Sequence, residues 1–237
     1  MLSHQLDTPL GAIRWNAELL RTGQMTKPLD AEQAEMVGEI IAGAVRMDQL
    51  ITDVHNCSKL AQDKFTDKQA VSLAAVVSTV SEECGKDITA KHLAYTAAID
   101  QAVPPMTASP SMLSVLVQNL LSNAIKYTPD GGTLTVTLRP ATAEEIARAA
   151  TKTATGLFLS VADNGYGIPA DEQDKVFSKF FRAENVSNLG IDGTGLGLYI
   201  VATAVAKLGG GVWFESEVGR GTTLFVVLPA DIAAEQA

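Results

Sequence analysis

The sequence lacks the features that mark a membrane-spanning or secreted chain. It contains no run of about eighteen uncharged apolar residues, so no segment is expected to cross a membrane. It also lacks a signal-peptide pattern at its start. Its two cysteines, Cys57 and Cys84, share no metal-ligand spacing, and we expect both to be reduced thiols in a cytoplasmic protein.

Positive charge is also scarce. The chain has 18 Lys and Arg against 27 Asp and Glu, which gives a formal net charge of −9 at pH 7. This balance argues against affinity for nucleic-acid phosphates, so we expect no nucleic-acid partner. The 237 residues, 46% of them hydrophobic, are enough for one large or two modest domains with their own cores.

The N-terminal third of the chain predicts two helices. Residues 2–20 carry apolar side chains at helical spacing, and the segment 23–30, with its glycine and proline, ends that helix. Residues 31–62 form the longest periodic pattern, a heptad seam whose members alternate three and four residues apart. The seam comprises Val37, Ile40, Ala44, Met47, Ile51, Val54 and Ser58, with Met36, Gly43, Leu50 and Cys57 as a flanking row.

A two-helix hairpin of this kind has more apolar surface than it can bury alone. Two copies paired as an antiparallel four-helix bundle would cover that surface, so we expect a homodimer. The alternative is packing of the hairpin on the C-terminal domain of the same chain.

His4 stands near the start of the first predicted helix, close to a threonine and a proline that bear on its function. Thr8 lies one turn further along the same face. Pro9 cannot donate a hydrogen bond to the carbonyl of Gln5, which loosens the helix beside the histidine. A neutral imidazole is a competent nucleophile toward phosphorus. His4 alone is weak evidence for a function, and it gains weight only from an ATP site elsewhere in the chain.

The chain is organised around a third predicted helix, which follows Ser109. Ser109 is placed to cap this helix, and Pro110 suits its first turn, where a missing N–H costs nothing. Apolar residues then recur at helical spacing and predict a buried face. They are Leu113, Leu116, Val117, Leu120, Leu121 and Ala124.

A second, polar stripe on this helix is rich in possible ligands. It consists of Asn119, Asn123, Lys126 and Tyr127. Two amide oxygens are hard ligands of the kind that Mg²⁺ prefers. An ammonium group can contact phosphate, and an aromatic ring beside it can cover a base. The alternative is a core helix with a merely solvated polar face.

A glycine-rich turn follows a mostly apolar predicted strand, residues 157–162. Asp163 ends that strand, and Gly165 and Gly167 release the chain into a turn. A carboxylate in this position suits recognition of an amino-group donor such as adenine N6. An ordinary Asp-Asn-Gly turn is the alternative.

A second glycine-rich segment precedes an apolar helix. It contains Gly193, Thr194, Gly195, Leu196 and Gly197. Backbone N–H groups at a helix N-terminus can cradle phosphate, helped by the helix dipole. About thirty residues separate the two glycine segments and are expected to form a mobile lid over a nucleotide, with Arg182 as a candidate phosphate contact.

Five motifs together resemble the sensor histidine kinases of two-component signalling. In chain order they are SHQLDTPL, QNLLSNAIKYTP, DNGYGIP, VFSKFF and GTGLGL. The resemblance implies an α+β chain: a dimerising and phosphotransfer helical hairpin over residues 1–64, a linker over 65–71, and an ATP-binding domain over 72–232. That domain would be an α/β sandwich of the type shared with gyrase, Hsp90 and MutL.

The resemblance also implies a role for each site residue. His4 would accept the γ-phosphoryl group of ATP and pass it to an aspartate on a response regulator, and Thr8 would support dephosphorylation of that partner. Asn123 and Asn119 would hold Mg²⁺ to the phosphates. Lys126 would contact phosphate, Tyr127 and Asp163 would contact the base, and Thr222 would line the adenine pocket. The glycines would shape the lid and its phosphate-binding edge; they are Gly165, Gly167, Gly193, Gly195 and Gly197.

The chain departs from the family pattern beside the histidine. Gln5 occupies the position of a carboxylate that can act as a base, and Asp7 stands where the family usually has arginine. An amide cannot act as a general base, and an anion repels the incoming phosphate. Autophosphorylation is therefore expected to be slow. The chain also begins three residues before His4, so we expect a fragment of a longer protein. The sequence leaves open whether that parent protein is anchored in a membrane, and the fragment itself is expected to make no membrane contact.

Two alternatives follow from these departures and from the fold. One is a dimeric module that binds ATP and a response regulator but transfers phosphate poorly or not at all, which Gln5 and Asp7 favour. The other is an ATP-driven clamp, against which the heptad hairpin argues.

Overall fold

The computed structural model describes residues 2–22, 29–100, 103–187, 189, 191 and 193–230, with side chains in the first helix described from Leu10 onward. The chain divides into two compact units. One comprises Met1–Ser58 with Asp192–Thr194, and the other comprises Lys59–Ile191 with Gly195–Ala237. Among the described residues, no helix combines the length and apolar content that a membrane span requires.

The first unit is built on two helices, α1 (Leu2–Thr22) and α2 (Ala31–Ala61). Both predicted helices are confirmed. α2 begins with a reciprocal cap, because Asp30 Oδ1 accepts from the Gln33 amide at 2.8 Å and Gln33 Oε1 accepts from the Asp30 amide at 3.2 Å. An ion pair of 3.1 Å between Arg14 and Asp48 joins the two helices.

The heptad seam of α2 is covered on only part of its width. Val37 and Ala44 are buried, whereas Ile40, Met47 and Val54 are 49%, 47% and 50% exposed. The exposed three recur every seven residues and therefore form a continuous apolar row on the helix surface.

The second unit combines seven strands with six α-helices. The strands are β1 (Gln69–Val71), β2 (Ala94–Ile99), β3 (Met106–Ala108), β4 (Thr133–Pro140), β5 (Gly156–Asp163), β6 (Gly211–Glu217) and β7 (Gly221–Pro229). The helices are α3 (Leu73–Glu83), α4 (Gly85–Ala90), α5 (Pro110–Tyr127), α6 (Ala143–Arg148), α7 (Glu184–Ser187) and α8 (Gly197–Lys207), with a 3₁₀ helix at Ala170–Lys175.

Five of the strands form one mixed sheet in the order β2-β4-β5-β7-β6. β2 and β4 are parallel, and the other neighbours are antiparallel. Helices α3, α5 and α8 pack together beside this sheet, with α5 against β5 and α8 against β6 and β7. The core lies between the two layers, as the expected α/β sandwich requires.

The expected linker is partly ordered as a strand. Gln69–Val71 form β1 and pair antiparallel with β3, with Ala70 opposite Thr107. A three-residue strand leaves no periodic signal in the sequence, so these residues are predicted as linker. Residue 232, the predicted end of the ATP-binding domain, lies outside the described residues, as do residues 23–28 of the predicted turn at 23–30.

Candidate functional site

Helix α5 provides the base of the site. Ser109 Oγ accepts a hydrogen bond of 3.2 Å from the Met112 amide, and Pro110 occupies the first turn, so the helix starts where the sequence predicts. Its apolar stripe is buried. Burial of that stripe fixes the rotation of the helix and turns Asn119 and Asn123, one helical turn apart, in a common direction.

The N-terminus of α8 lies against these two asparagines. A Cβ atom built on Gly197 would be 3.0 Å from Asn123 Nδ2 and 3.2 Å from Asn119 Oδ1. The N-cap residue of α8, Leu196, has an apolar side chain that makes no cap hydrogen bond. The structure therefore brings a helix N-terminus, with its partial positive charge, beside two side-chain amides.

The two amides are only partly satisfied within the protein. Asn119 Nδ2 donates to the Val115 carbonyl at 2.7 Å, which leaves Asn119 Oδ1 as an acceptor toward α8. Asn123 Nδ2 is buried and has no hydrogen-bond partner among the described residues. A buried amide without a partner is unusual in folded proteins and points to a ligand that completes it.

The last turn of α5 carries Lys126 and Tyr127. The Lys126 ammonium lies 4.4 Å from the centroid of the Tyr127 ring. The Tyr127 carbonyl accepts a hydrogen bond of 3.1 Å from the Tyr166 amide. The end of the helix is thereby joined to the turn that follows Asp163.

Asp163 lies at the end of β5, as the sequence predicts. Its Oδ1 atom accepts hydrogen bonds from the Gly165 amide at 2.8 Å and the Thr222 amide at 3.2 Å. Burial raises the pKa of the Asp163 carboxyl, and the two hydrogen bonds oppose that rise. Among the described residues no hydrogen bond is made to Oδ2, so this oxygen can accept from a ligand.

The glycines of the turn are required by close backbone approaches. A Cβ on Gly165 would lie 2.2 Å from the Tyr127 carbonyl oxygen. Gly167 has φ +67°, and a Cβ there would lie 2.0 Å from the Glu217 carbonyl oxygen. Only glycine lets the turn, the end of α5 and the β6–β7 hairpin meet.

The segment between the two glycine motifs contains an internal hydrogen bond. Arg182 Nη2 donates to the Ile191 carbonyl, and Arg182 Nε is buried without a partner in the described part of the chain. Gly195 has φ +70°, and its Cβ would be 2.6 Å from the Phe180 carbonyl carbon. Gly193 and Thr194 group with the first unit.

Two family models match this chain. Residues 108–232 match the histidine kinase-, DNA gyrase B- and HSP90-like ATPase model. Residues 1–63 match the His Kinase A (phospho-acceptor) domain model. The chain belongs to the histidine kinase family. The resemblance inferred from the sequence motifs is therefore confirmed.

Curated histidine kinases match nearly the whole of this chain. It is 29% identical to the sensor histidine kinase WalK of Bacillus subtilis over 231 residues, which is 96% of this chain and 35% of that protein. It is 30% identical to the sensor histidine kinase RppB of Synechocystis over 229 residues, 96% of this chain and 47% of the relative. The histidine kinase chain thus spans less than half the length of either relative.

Solved structures give the same result. The crystal structure of full-length ShkA in complex with AMPPNP matches with a TM-score of 0.67 and 25% identity, covering 96% of this chain and 44% of ShkA. The mycobacterial sensor histidine kinase MprB matches with a TM-score of 0.55 and 27% identity, covering 68% of this chain and 97% of that chain.

The motif of this histidine kinase that is predicted to contain the phosphoacceptor lies in the first turns of α1. The backbone of Leu2–Thr22 is helical, which separates His4 and Thr8 by about one turn. The side chains of His4, Gln5, Asp7, Thr8 and Pro9 lie outside the described residues. The roles predicted for His4, Gln5 and Thr8 therefore stay predictions.

The donor set of this histidine kinase suits a cation held mainly by a substrate. Among the described residues there is no group of three or more His, Cys, Asp or Glu side chains able to hold a metal ion. The available ligands are the amides of Asn119 and Asn123. Mg²⁺ typically keeps several waters and takes one or two protein oxygens together with substrate phosphates, and these two residues fit that pattern.

Sequence analysis missed two residues that border the site. Ser216 Oγ lies 2.8 Å from Thr222 Oγ1 and accepts a hydrogen bond of 2.9 Å from the Ile168 amide. Asn185 Nδ2 donates to the Gly167 carbonyl at 2.9 Å, while its buried Oδ1 has no partner in the described part of the chain. Neither residue lies in a local motif, so no signal in the sequence marked them.

Proposed function

We propose that the second unit binds ATP between α5, the turn after Asp163 and the N-terminus of α8. The observation that carries this proposal is the contact of Gly197 with the amides of Asn119 and Asn123. It supports the proposal because backbone N–H groups at a helix N-terminus can bind phosphate and amide oxygens can bind a cation. Asp163 would accept a hydrogen bond from the adenine amino group through Oδ2, which the protein leaves open.

The other predicted residues complete the nucleotide site in this proposal. Tyr127 would lie against the adenine ring, and Thr222 beside Asp163 would line the same pocket. Lys126 and Arg182 would contact phosphate oxygens, the latter through its buried Nε, which has no hydrogen-bond partner among the described residues. The loop from Gly193 to Gly197, including Thr194 and Leu196, would form the phosphate-binding edge.

Mg²⁺ would be held by Asn123, with Asn119 beside it. When bound, the cation neutralises phosphate charge and orients the terminal phosphoryl group. An amide oxygen of Asn123 turned toward the cation would also leave its Nδ2 free to donate to a phosphate oxygen, which would account for an amide that has no protein partner.

We propose further that the chain is the catalytic core of a protein-histidine kinase. A ring nitrogen of His4 would attack the γ-phosphorus of ATP in line with the leaving oxygen of ADP. The attacking nitrogen is the one that carries no proton, and its N–P bond forms as the bond to the β–γ bridging oxygen breaks. The proton on the other ring nitrogen is then lost, which leaves a neutral phosphorylated imidazole. The phosphoryl group would then pass to an aspartate carboxylate of a response regulator, with Thr8 supporting its later hydrolysis.

The hairpin would act as a homodimer. The row of Ile40, Met47 and Val54 is about half exposed at each residue in the single chain. A second hairpin packed antiparallel would cover this row and complete a four-helix bundle. The dimer and the response regulator are part of this proposal, because the chain spans only 35% and 47% of the length of the two relatives.

A second function is favoured by Gln5 and Asp7. A chain that lacks the base beside its histidine and carries an anion near the incoming phosphate could hold ATP and a response regulator without transferring phosphate. The two functions share the nucleotide site and differ only in whether His4 becomes phosphorylated.

Calorimetric titration tests the nucleotide site that both functions need. We expect ADP and a non-hydrolysable ATP analogue to bind, with the ATP analogue losing affinity when Mg²⁺ is removed by chelation. Absence of binding to the folded protein, with or without Mg²⁺, would contradict the proposal.

A further inference from the structure

Lys91 lies at the C-terminal end of α4 and contacts the C-terminal end of α5. Its Nζ atom donates hydrogen bonds to the carbonyls of Ile125 at 2.8 Å, Lys126 at 3.1 Å and Thr128 at 2.5 Å. The last carbonyls of a helix have no partner within the helix. A charged ammonium has three N–H donors, and Lys91 uses all of them on this one turn.

The remaining carbonyl of this turn is bound by a different part of the chain. Tyr127, which lies between Lys126 and Thr128, accepts its hydrogen bond from the Tyr166 amide at 3.1 Å. All four carbonyls from residue 125 to residue 128 therefore have a partner outside α5. Three are held by one side chain, and the fourth is held by the turn that contains Asp163.

The main chain of Lys91 holds the loop that leaves α5. The Lys91 carbonyl accepts a hydrogen bond of 2.8 Å from the Gly131 amide. The neighbouring His92 has a positive φ of 52°, which turns the chain from α4 into β2. The Lys91 side chain thus binds the last turn of α5, and its carbonyl binds the loop that follows that turn.

The charge of Lys91 suits its place. A cation at a helix C-terminus is favoured by the helix dipole, more strongly where it is partly shielded from water. Lys91 is half-buried. Burial lowers the pKa of its ammonium, and the carboxylate of Asp130 opposes that change.

We propose that Lys91 is a positioning residue for the nucleotide. It does not contact the ligand itself, and it acts by fixing the turn from which Lys126 and Tyr127 project toward phosphate and base. This inference rests on the proposed ATP site. It adds to that site a side chain more than thirty residues away in the sequence.

The loss of Lys91 is expected to loosen this turn without unfolding the protein. A cavity of about 270 Å³ adjoins the contact and is lined in part by Lys91, Ile125 and Lys126. Water in that cavity can hydrate the carbonyls that Lys91 leaves behind. Hydrated carbonyls are satisfied, but water does not hold them at a fixed distance from α4.

The test compares Lys91→Met with Lys86→Met, a matched change at an exposed lysine of α4. Affinity for ADP and for a non-hydrolysable ATP analogue is measured by calorimetry, together with the melting temperature and the hydrogen exchange of the Tyr166 amide. We expect Lys91→Met to bind nucleotide about tenfold more weakly, since the substitution removes three charge-assisted hydrogen bonds. The amide hydrogen of Tyr166 should exchange with solvent faster in this variant. Lys86→Met should match the parent in all three, and Lys91→Arg should recover part of the affinity.

Unchanged nucleotide affinity in a folded Lys91→Met protein would overturn the inference. If Lys91→Met does not fold, Lys91→Gln, which keeps two donors, takes its place, and failure of both to fold would show a role in the fold alone. If the parent protein binds no nucleotide, the ATP site is wrong, and the inference about nucleotide positioning falls with it. In that case the Tyr166 exchange rate still shows separately whether Lys91 fixes the turn.

Discussion

Asp163 Oδ1 accepts a hydrogen bond of 3.2 Å from the amide of Thr222, the residue that faces it on the neighbouring strand β7. The same oxygen accepts from the Gly165 amide at 2.8 Å. One carboxylate oxygen is thereby occupied by the protein, and the other accepts no hydrogen bond within the described part of the chain. The hydrogen bonds to Oδ1 offset part of the free energy that burial of the Asp163 carboxylate costs, and the proposed bond to adenine uses Oδ2.

Asp163→Asn is expected to weaken nucleotide binding without lowering stability. The asparagine oxygen can keep both backbone hydrogen bonds, and the cost of burying a charge disappears. Its amide nitrogen then faces the adenine amino group, donor against donor. We expect affinity to fall about tenfold to a hundredfold, as for a lost hydrogen bond to a charged group, while the melting temperature stays equal or rises. A lower melting temperature with parental affinity would contradict this expectation.

The raised pKa of Asp163 also predicts a pH dependence. The folded protein holds the proton on Asp163 more tightly than the unfolded chain, whose carboxyl has its ordinary value of 3.8. The free energy of unfolding contributed by this group therefore rises as pH falls through the raised pKa and is lower above it. Nucleotide affinity should change in the opposite sense and fall on acidification, because the ionised carboxylate is the better acceptor. The phosphates and base of the nucleotide titrate in the same way with the parent protein and with Asp163→Asn. The difference between the pH profiles of nucleotide affinity for these two proteins therefore reports the titration of Asp163.

Gly197→Ala is expected to disrupt the site where α8 meets α5. Its Cβ would lie 3.0 Å from Asn123 Nδ2, closer than a relaxed contact, so the amides must shift. Alanine is a better helix former than glycine, and the fold itself should not suffer. We expect affinity for the Mg²⁺-bound ATP analogue to fall about tenfold or more. Gly85→Ala is the matched control, because Gly85 begins α4 and has nothing within 4 Å of its Cβ position; equal affinities for the two variants would speak against the site.

Ile40→Asp is expected to weaken the proposed dimer. Ile40 is 49% exposed and lies in the apolar row with Met47 and Val54. A charge at the centre of a buried bundle would be desolvated without a partner. Light scattering after size exclusion should show a dimer for the parent and a larger share of monomer for the variant. Val45→Asp serves as the control, since Val45 is 48% exposed but lies off this row; equal dissociation of both variants would argue against a dimer through the row.

Gln5→Glu is expected to raise the rate of autophosphorylation. It restores a carboxylate that can accept a proton from the imidazole of His4, and general bases contribute about 10²- to 10⁴-fold to such steps. The initial rate of label transfer from ATP measures the effect at saturating nucleotide. An unchanged rate would mean that another group, such as Asp7 one turn away, already acts as the base.

Helices α1, α2, α5 and α8 and strand β5 could be predicted from the sequence because their signals are local. The Ser109 cap, the proline after it and the apolar stripe all lie within α5. The carboxylate of Asp163 and the glycines after it lie within one short turn. Each of these follows from chemistry within a few residues of the chain.

The contacts that complete the site could not be predicted, because they join distant parts of the chain. Lys91 contacts carbonyls 34 to 37 residues away, and Ser216 accepts from an amide 48 residues before it. The heptad pattern likewise shows that Val37 and Ile40 are both apolar but not that only the first is buried. Burial depends on which neighbours each face meets, and the pattern of one helix does not contain that information.

Incubation of the protein with γ-labelled ATP and Mg²⁺, followed by treatment with acid, tests the central claim most directly. The account predicts that parent protein acquires label that is stable in base and lost in acid, that His4→Ala acquires none, and that the label moves to a response regulator with an intact acceptor aspartate. A parent protein that binds ATP yet never becomes labelled, or a His4→Ala variant that is labelled like the parent, would contradict the assignment of a histidine kinase core acting through His4.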